Sequence, residues 1–224
     1  MEVRVISIGT LAEHPLRDRQ RRVRTGHATT TLVRAGESVI LVDPGLPGAA
    51  VAARLDERAG LSPGDVTHVF LTSFQADTCR GIEAFEGAEW LISEAEREGV
   101  GVPLARMLAD SADAEEDARA ELEYRVALLR RCRPAPDRLE RGVDLFPLPG
   151  VTPGTCGLLV SGAQTTLICG DAIPTVEHLE HGRVPTRCAD PEKALESFQE
   201  AVEIADVLVP GRDNVVLNPT RRRV

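Results

Sequence analysis

Four times along this chain a short apolar run passes straight into a turn of glycine, proline, aspartate or small polar residues, and a fifth such turn follows a strand-like stretch near 143–148. Val39-Ile40-Leu41-Val42 enters Asp43-Pro44-Gly45, and Val69-Phe70-Leu71-Thr72 enters Ser73-Phe74-Gln75-Ala76-Asp77-Thr78. The stretch near 143–148 precedes Thr152-Pro153-Gly154-Thr155-Cys156-Gly157. Leu167-Ile168-Cys169 enters Gly170-Asp171-Ala172, and Val207-Leu208-Val209 enters Pro210-Gly211-Arg212-Asp213-Asn214. Short apolar runs bounded by turn residues read as buried strands. Further strands are expected near 3–8, 28–34, 38–43, 89–92, 157–161 and 165–169. Helices are expected over 49–59, ended by Gly60, and over 191–205. Ser93 with Glu96 three residues later predicts a capping box at another helix start. With no linker and no internal repeat, the pattern predicts a single α/β domain over 1–224.

Composition agrees with one domain. The chain has 224 residues and is 42% hydrophobic but only 3% aromatic, so aliphatic side chains must fill the core. A net charge of −9 argues against nucleic acid or an anionic membrane as partner. No apolar run has membrane-spanning length, and the first strand begins at once, so neither a membrane span nor a signal peptide is expected. Five cysteines without paired spacing fit a reducing cytoplasm.

The ordered turns carry a family resemblance. Val39 to Gly45 resembles the "iLvDtG" strand and turn of the metallo-β-lactamase superfamily. Thr152 to Gly157 resembles "TPGHTPG", Leu167 to Ala172 resembles "lfxGDa", and Val209 to Asn214 resembles "vPGHg". Ser73 to Thr78 stands where the family carries H-x-H-x-D-H. The resemblance extends over nearly the whole chain and implies a four-layer αββα sandwich with a binuclear zinc site. At the matching positions, however, Ser73, Gln75, Thr78, Thr155 and Arg212 replace histidines, and only Asp77 and Asp171 remain. Neutral oxygens are weak zinc donors, and an arginine has no lone pair to give. Arg212 is therefore expected to lie on Asp77 and Asp171 and to replace the metal's charge. No cofactor is expected, and zinc enters only if a relocated or mononuclear site exists. Asp43 completes the candidate ligand-binding residues.

Other residues hold alternatives open. Cys79, Cys156 and Cys169 are either relocated ligands or core thiols. His14, His27, His68, His178 and His181 are the only imidazoles; His178 and His181, at i and i+3, suit one helical face. Arg17, Arg19, Arg21, Arg22 and Arg24 form a basic loop that either attracts an anion or pairs with the protein's own carboxylates. Arg221-Arg222-Arg223 reads as a frayed end. A helical insertion is expected near 103–133, with Leu122, Val126 and Leu129 on one face, acidic Glu115, Glu116 and Asp117 first, and basic Arg130, Arg131 and Arg133 last. It is a helix packed on the sandwich, a lid, or a homodimer contact. Three functions follow: a regulatory or small-molecule-binding protein without the zinc mechanism, taking a small anionic ligand; a metal-dependent hydrolase with an altered site; or a protein-interaction module.

Overall fold

The computed structural model describes residues 1–16, 25–111 and 115–221. The basic loop arginines 17–24 and the last two tail arginines lie outside the described residues. Two six-stranded sheets face each other. The first is formed by β1 (Glu2–Ser7), β2 (Thr30–Ala35), β3 (Ser38–Val42), β4 (His68–Leu71), β5 (Glu89–Ile92) and β6 (Arg133–Pro134), in that order. The second is formed by β7 (Arg138–Glu140), β8 (Val143–Pro147), β9 (Cys156–Val160), β10 (Thr166–Gly170), β11 (Val207–Pro210) and β12 (Val216–Leu217). Helices α1 (Gly48–Ala59), α2 (Glu94–Ala109) and α3 (Glu116–Arg131) belong with the first sheet, and α4 (Val176–His181) and α5 (Pro191–Ile204) with the second.

Strand alternation builds the layers. Ile40 and Val42 point between the sheets, where Phe70, Leu158, Ile168 and Val209 meet them. Leu41, between Ile40 and Val42, points outward to Val51 and Leu55 of α1. Leu167 and Leu208 likewise point away from their neighbours Ile168 and Val209, toward Phe198 and Ala201 of α5. A period of two puts successive side chains on opposite faces, so sheets buried on both faces need continuous apolar runs. The result is the αββα sandwich.

Several expectations change in detail. The segment near 103–133 holds parts of two helices rather than one: Pro103 lies inside α2, and α3 begins only at Glu116. Proline removes a helical donor, yet Leu104 beside it is buried in the outer core, and that packing carries α2 through. Leu122 and Val126 pack partly buried against the same core, and Leu129 is buried in it, so α3 lies on the sandwich. The strands β6, β7 and β12 and the short α4 are too short to show a period. Arg221 is not frayed; its Nη1 donates to the carbonyl of Ile204 at 3.0 Å. No helix among the described residues is long and apolar enough to cross a membrane.

Candidate functional site

Parallel pairing of β3 with β4, and of β10 with β11, delivers four loops to one end of the sandwich. Asp43 follows β3, the 73–78 loop follows β4, Asp171 follows β10 and Arg212 follows β11. Loops after the carboxyl ends of parallel strands are the usual place for a site in an α/β fold. Here they are also stitched together. The amide of Ala28 donates to the Asp77 carbonyl at 2.9 Å, and the amide of Thr29 to the Gly211 carbonyl at 2.7 Å. Gly211 is required for its closeness: a Cβ there would lie 2.6 Å from Asp171 Oδ1.

The structure brings Asp77, Asp171 and Arg212 together. Arg212 Nε donates to Asp171 Oδ1 at 2.8 Å and Nη2 to Asp171 Oδ2 at 2.6 Å. The same Nη2 donates to Asp77 Oδ1 at 3.1 Å, and Nη1 donates to Asp77 Oδ2. One planar guanidinium thus holds two carboxylates through paired bonds, the geometry to which arginine is suited. The Arg212 side chain is 3% exposed, Asp171 11% and Asp77 31%. Burial alone would lower the Arg212 pKa, but the charges and hydrogen bonds of Asp171 and then Asp77 hold it above its usual value.

Asp43 completes the charge cluster. It accepts from the Thr72 amide at 2.9 Å and the Thr72 hydroxyl at 2.6 Å. Its φ of 49° is left-handed, which aspartate tolerates better than most residues. Burial pushes its carboxyl up to about 7 from an ordinary 3.8, against the lowering effect of the Thr72 bonds; Asp171 adds repulsion. The folded protein therefore keeps a proton that the unfolded chain releases between about pH 4 and about pH 7. Asp43 contributes stability that is fully present below about pH 4 and is lost as pH rises through about 7, at up to about 1.4 kcal/mol per pH unit. Asp43→Asn keeps an acceptor for the Thr72 amide and removes the titration. Its stability relative to the native protein should therefore rise across that window in urea unfolding. An unchanged difference at all pH values would refute this assignment.

The remaining motif positions do not fit a zinc ion. Thr78 Oγ1 is spent on the carbonyls of Ser73 at 2.8 Å and Gln75 at 2.9 Å. Thr155 Oγ1 accepts from the Thr152 amide at 3.0 Å and bonds the Thr152 hydroxyl at 2.6 Å. Ser73 Oγ is buried without a hydrogen-bond partner among the described residues, but a lone neutral hydroxyl is a poor zinc donor. The two carboxylates that could bind the ion are occupied by Arg212. Among the described residues, no group of three or more histidine, cysteine, aspartate or glutamate side chains could hold a metal.

The other sequence candidates make no hydrogen bond to the cluster among the described residues. Cys79, Cys156 and Cys169 are buried, and burial pushes the thiols of Cys79 and Cys156 up to about 11 and about 12. His68 is at the opposite, amino end of β4 and bonds Thr67 Oγ1 at 2.8 Å. His27 Nε2 bonds the Ile8 carbonyl at 3.2 Å. His178 and His181, on the same short helix, differ in environment: His178 is buried on Thr175 Oγ1 at 2.9 Å, while His181 is exposed. His14 joins His178 instead, with ring centroids 5.6 Å apart.

Glu96 is the residue sequence reasoning misassigned. Ser93 does cap α2, accepting from the Glu96 amide at 3.1 Å. The Glu96 carboxylate does not return to the cap. It is fully buried and accepts from the Phe74 amide at 2.8 Å, the Thr152 hydroxyl at 2.6 Å and the Gly154 amide at 3.1 Å. Two buried loop amides that would otherwise lack partners explain the choice. The glutamate clamps the 73–78 loop to the 152–155 loop. At Gly154 a Cβ would lie 2.0 Å from the Glu96 amide, so only glycine fits.

Comparison with known proteins accords with this architecture. A metallo-β-lactamase-like protein from Thermotoga maritima superposes with a TM-score of 0.69 at 17% identity, covering 96% of this chain and 98% of the other. AidC, a dizinc quorum-quenching lactonase solved with its product N-hexanoyl-L-homoserine, gives 0.62 at 19% identity, with 79% and 67% covered. A mutant of B. thuringiensis AiiA, solved with N-decanoyl-L-homoserine at its active site, gives 0.61 at 21%, with 90% and 86% covered. At these identities the likeness concerns the fold. No curated protein sequence matches the chain. The superfamily's sequence profile matches residues 23–212, which is most of its length: the chain belongs to the metallo-β-lactamase superfamily.

Proposed function

We propose that this protein is a non-catalytic member of its superfamily that binds a small molecule, with Arg212 standing in for the metal charge. The single observation behind this reading is the guanidinium on Asp77 and Asp171. A divalent ion would have to break four hydrogen bonds and displace a buried cation. Zinc hydrolases need a metal-activated water and a polarised substrate, and the side chains at the motif positions offer neither imidazole nor a free carboxylate pair. The loops around the cluster remain tied to one another by backbone hydrogen bonds. Five free cysteines suit a reducing compartment such as the cytoplasm.

The test combines metal content with turnover. Tag-free protein dialysed against a mild chelator should carry far less than one zinc per chain. It should show no hydrolysis of generic lactone, thioester or phosphodiester substrates above background with added zinc or manganese. Stoichiometric zinc, or metal-dependent turnover abolished by Asp77→Ala, would instead favour a hydrolase with an altered site.

A further inference from the structure

A cavity of about 200 Å³ opens where α3 crosses the 73–80 loop. Its floor is apolar: Phe74 and Leu128 are buried there. Tyr124 stands at the mouth, its hydroxyl engaged in donating to Glu83 Oε2 at 3.0 Å. Two arginines also line it, Arg80 exposed and Arg125 half-buried. Neither forms a salt bridge with any described residue. Arg125 instead lies over the Phe74 ring, 6.0 Å from its centroid. Glu121 is the one acidic side chain in the lining, and it is exposed.

We infer that this cavity binds a small carboxylate with an aromatic body, its ring on Phe74 and Leu128 and its carboxylate on Arg125 and Arg80. The volume is many times what one water needs and leaves room for a small ring compound. An apolar floor with cations toward the mouth fixes its orientation. Two arginines against one exposed glutamate leave the mouth cationic in a protein of net charge −9, so an anion is drawn to this patch in particular. Aromatic walls favour a ring over an alkyl chain by edge and stacking contacts. The site rests on the reading of Arg212 given above, because the loop forming one wall is held by Arg212 through Asp77 and by Glu96 through the Phe74 amide.

Calorimetric titration of the full chain with phenylacetate, phenylacetamide and acetate tests this. Phenylacetate should bind, with the uncharged amide and the ringless acetate each about tenfold weaker or more. Arg125→Gln should bring phenylacetate down to the level of the amide, and Arg125→Lys should restore part of the difference. If Arg125→Gln lowers the melting temperature, Arg80→Gln at the exposed mouth serves as the second variant and should also narrow the difference. Equal binding of acid and amide, no binding of the acid, or an Arg125→Gln protein that folds normally and binds unchanged would each overturn the inference. Any of these in zinc-free protein leaves the charge-replacement reading standing; stoichiometric zinc overturns that reading instead.

Discussion

Arg212→Met should destabilise the protein by about 3–5 kcal/mol at neutral pH, measured by urea unfolding. The substitution leaves Asp171 nearly buried with no counter-charge and Asp77 only partly relieved by solvent. Removing one member of a buried charge cluster costs far more than removing all of it. A triple variant, Arg212→Met with Asp77→Asn and Asp171→Asn, should therefore recover much of the loss, and the shortfall from additivity measures the coupling. Arg212→His should be milder than Arg212→Met when zinc is present, and zinc should then raise its melting temperature. A single Arg212→Met variant within about 1 kcal/mol of the native protein would contradict a charge-compensating role.

Glu96→Ala should have a comparable effect by a different route. Three donors, the Phe74 and Gly154 amides and the Thr152 hydroxyl, would lose their acceptor in a buried place. Each orphaned buried donor costs about 1–3 kcal/mol, so even with relaxation the total is on the order of 4 kcal/mol. Glu96→Gln should fall between, since one amide oxygen can accept but the NH₂ cannot serve the donors now on Oε2. Thermal unfolding that leaves Glu96→Ala within about 1 kcal/mol of the native protein would show that the two loops are held by other contacts.

The fold was legible because its strands are buried on both faces and advertise themselves as continuous apolar runs. Residues 39–42 and 167–169 could hardly be anything else, and the turns after them appear in the family's order. The short edge strands were not legible: β6 and β12 have two residues each, too few to show any period. The site was half legible. Arg212 could be paired with Asp77 and Asp171 because the resemblance places their loops at one end and electrostatics demands a cation there. Glu96 could not be read. Its spacing from Ser93 satisfies a local capping rule, and nothing in the sequence says that two distant loop amides compete for the same carboxylate. The cavity beneath α3 was equally hidden, since Phe74 meets Arg125 and Leu128 of α3 only through tertiary packing.

The central claim is that a guanidinium occupies the place of the metal. A crystal grown in excess zinc, with anomalous data collected at the zinc edge, tests it in one measurement. The account predicts no zinc peak between Asp77 and Asp171, with Arg212 still bonded to both carboxylates. A peak bound by those two aspartates, with the Arg212 side chain swung away, would contradict it.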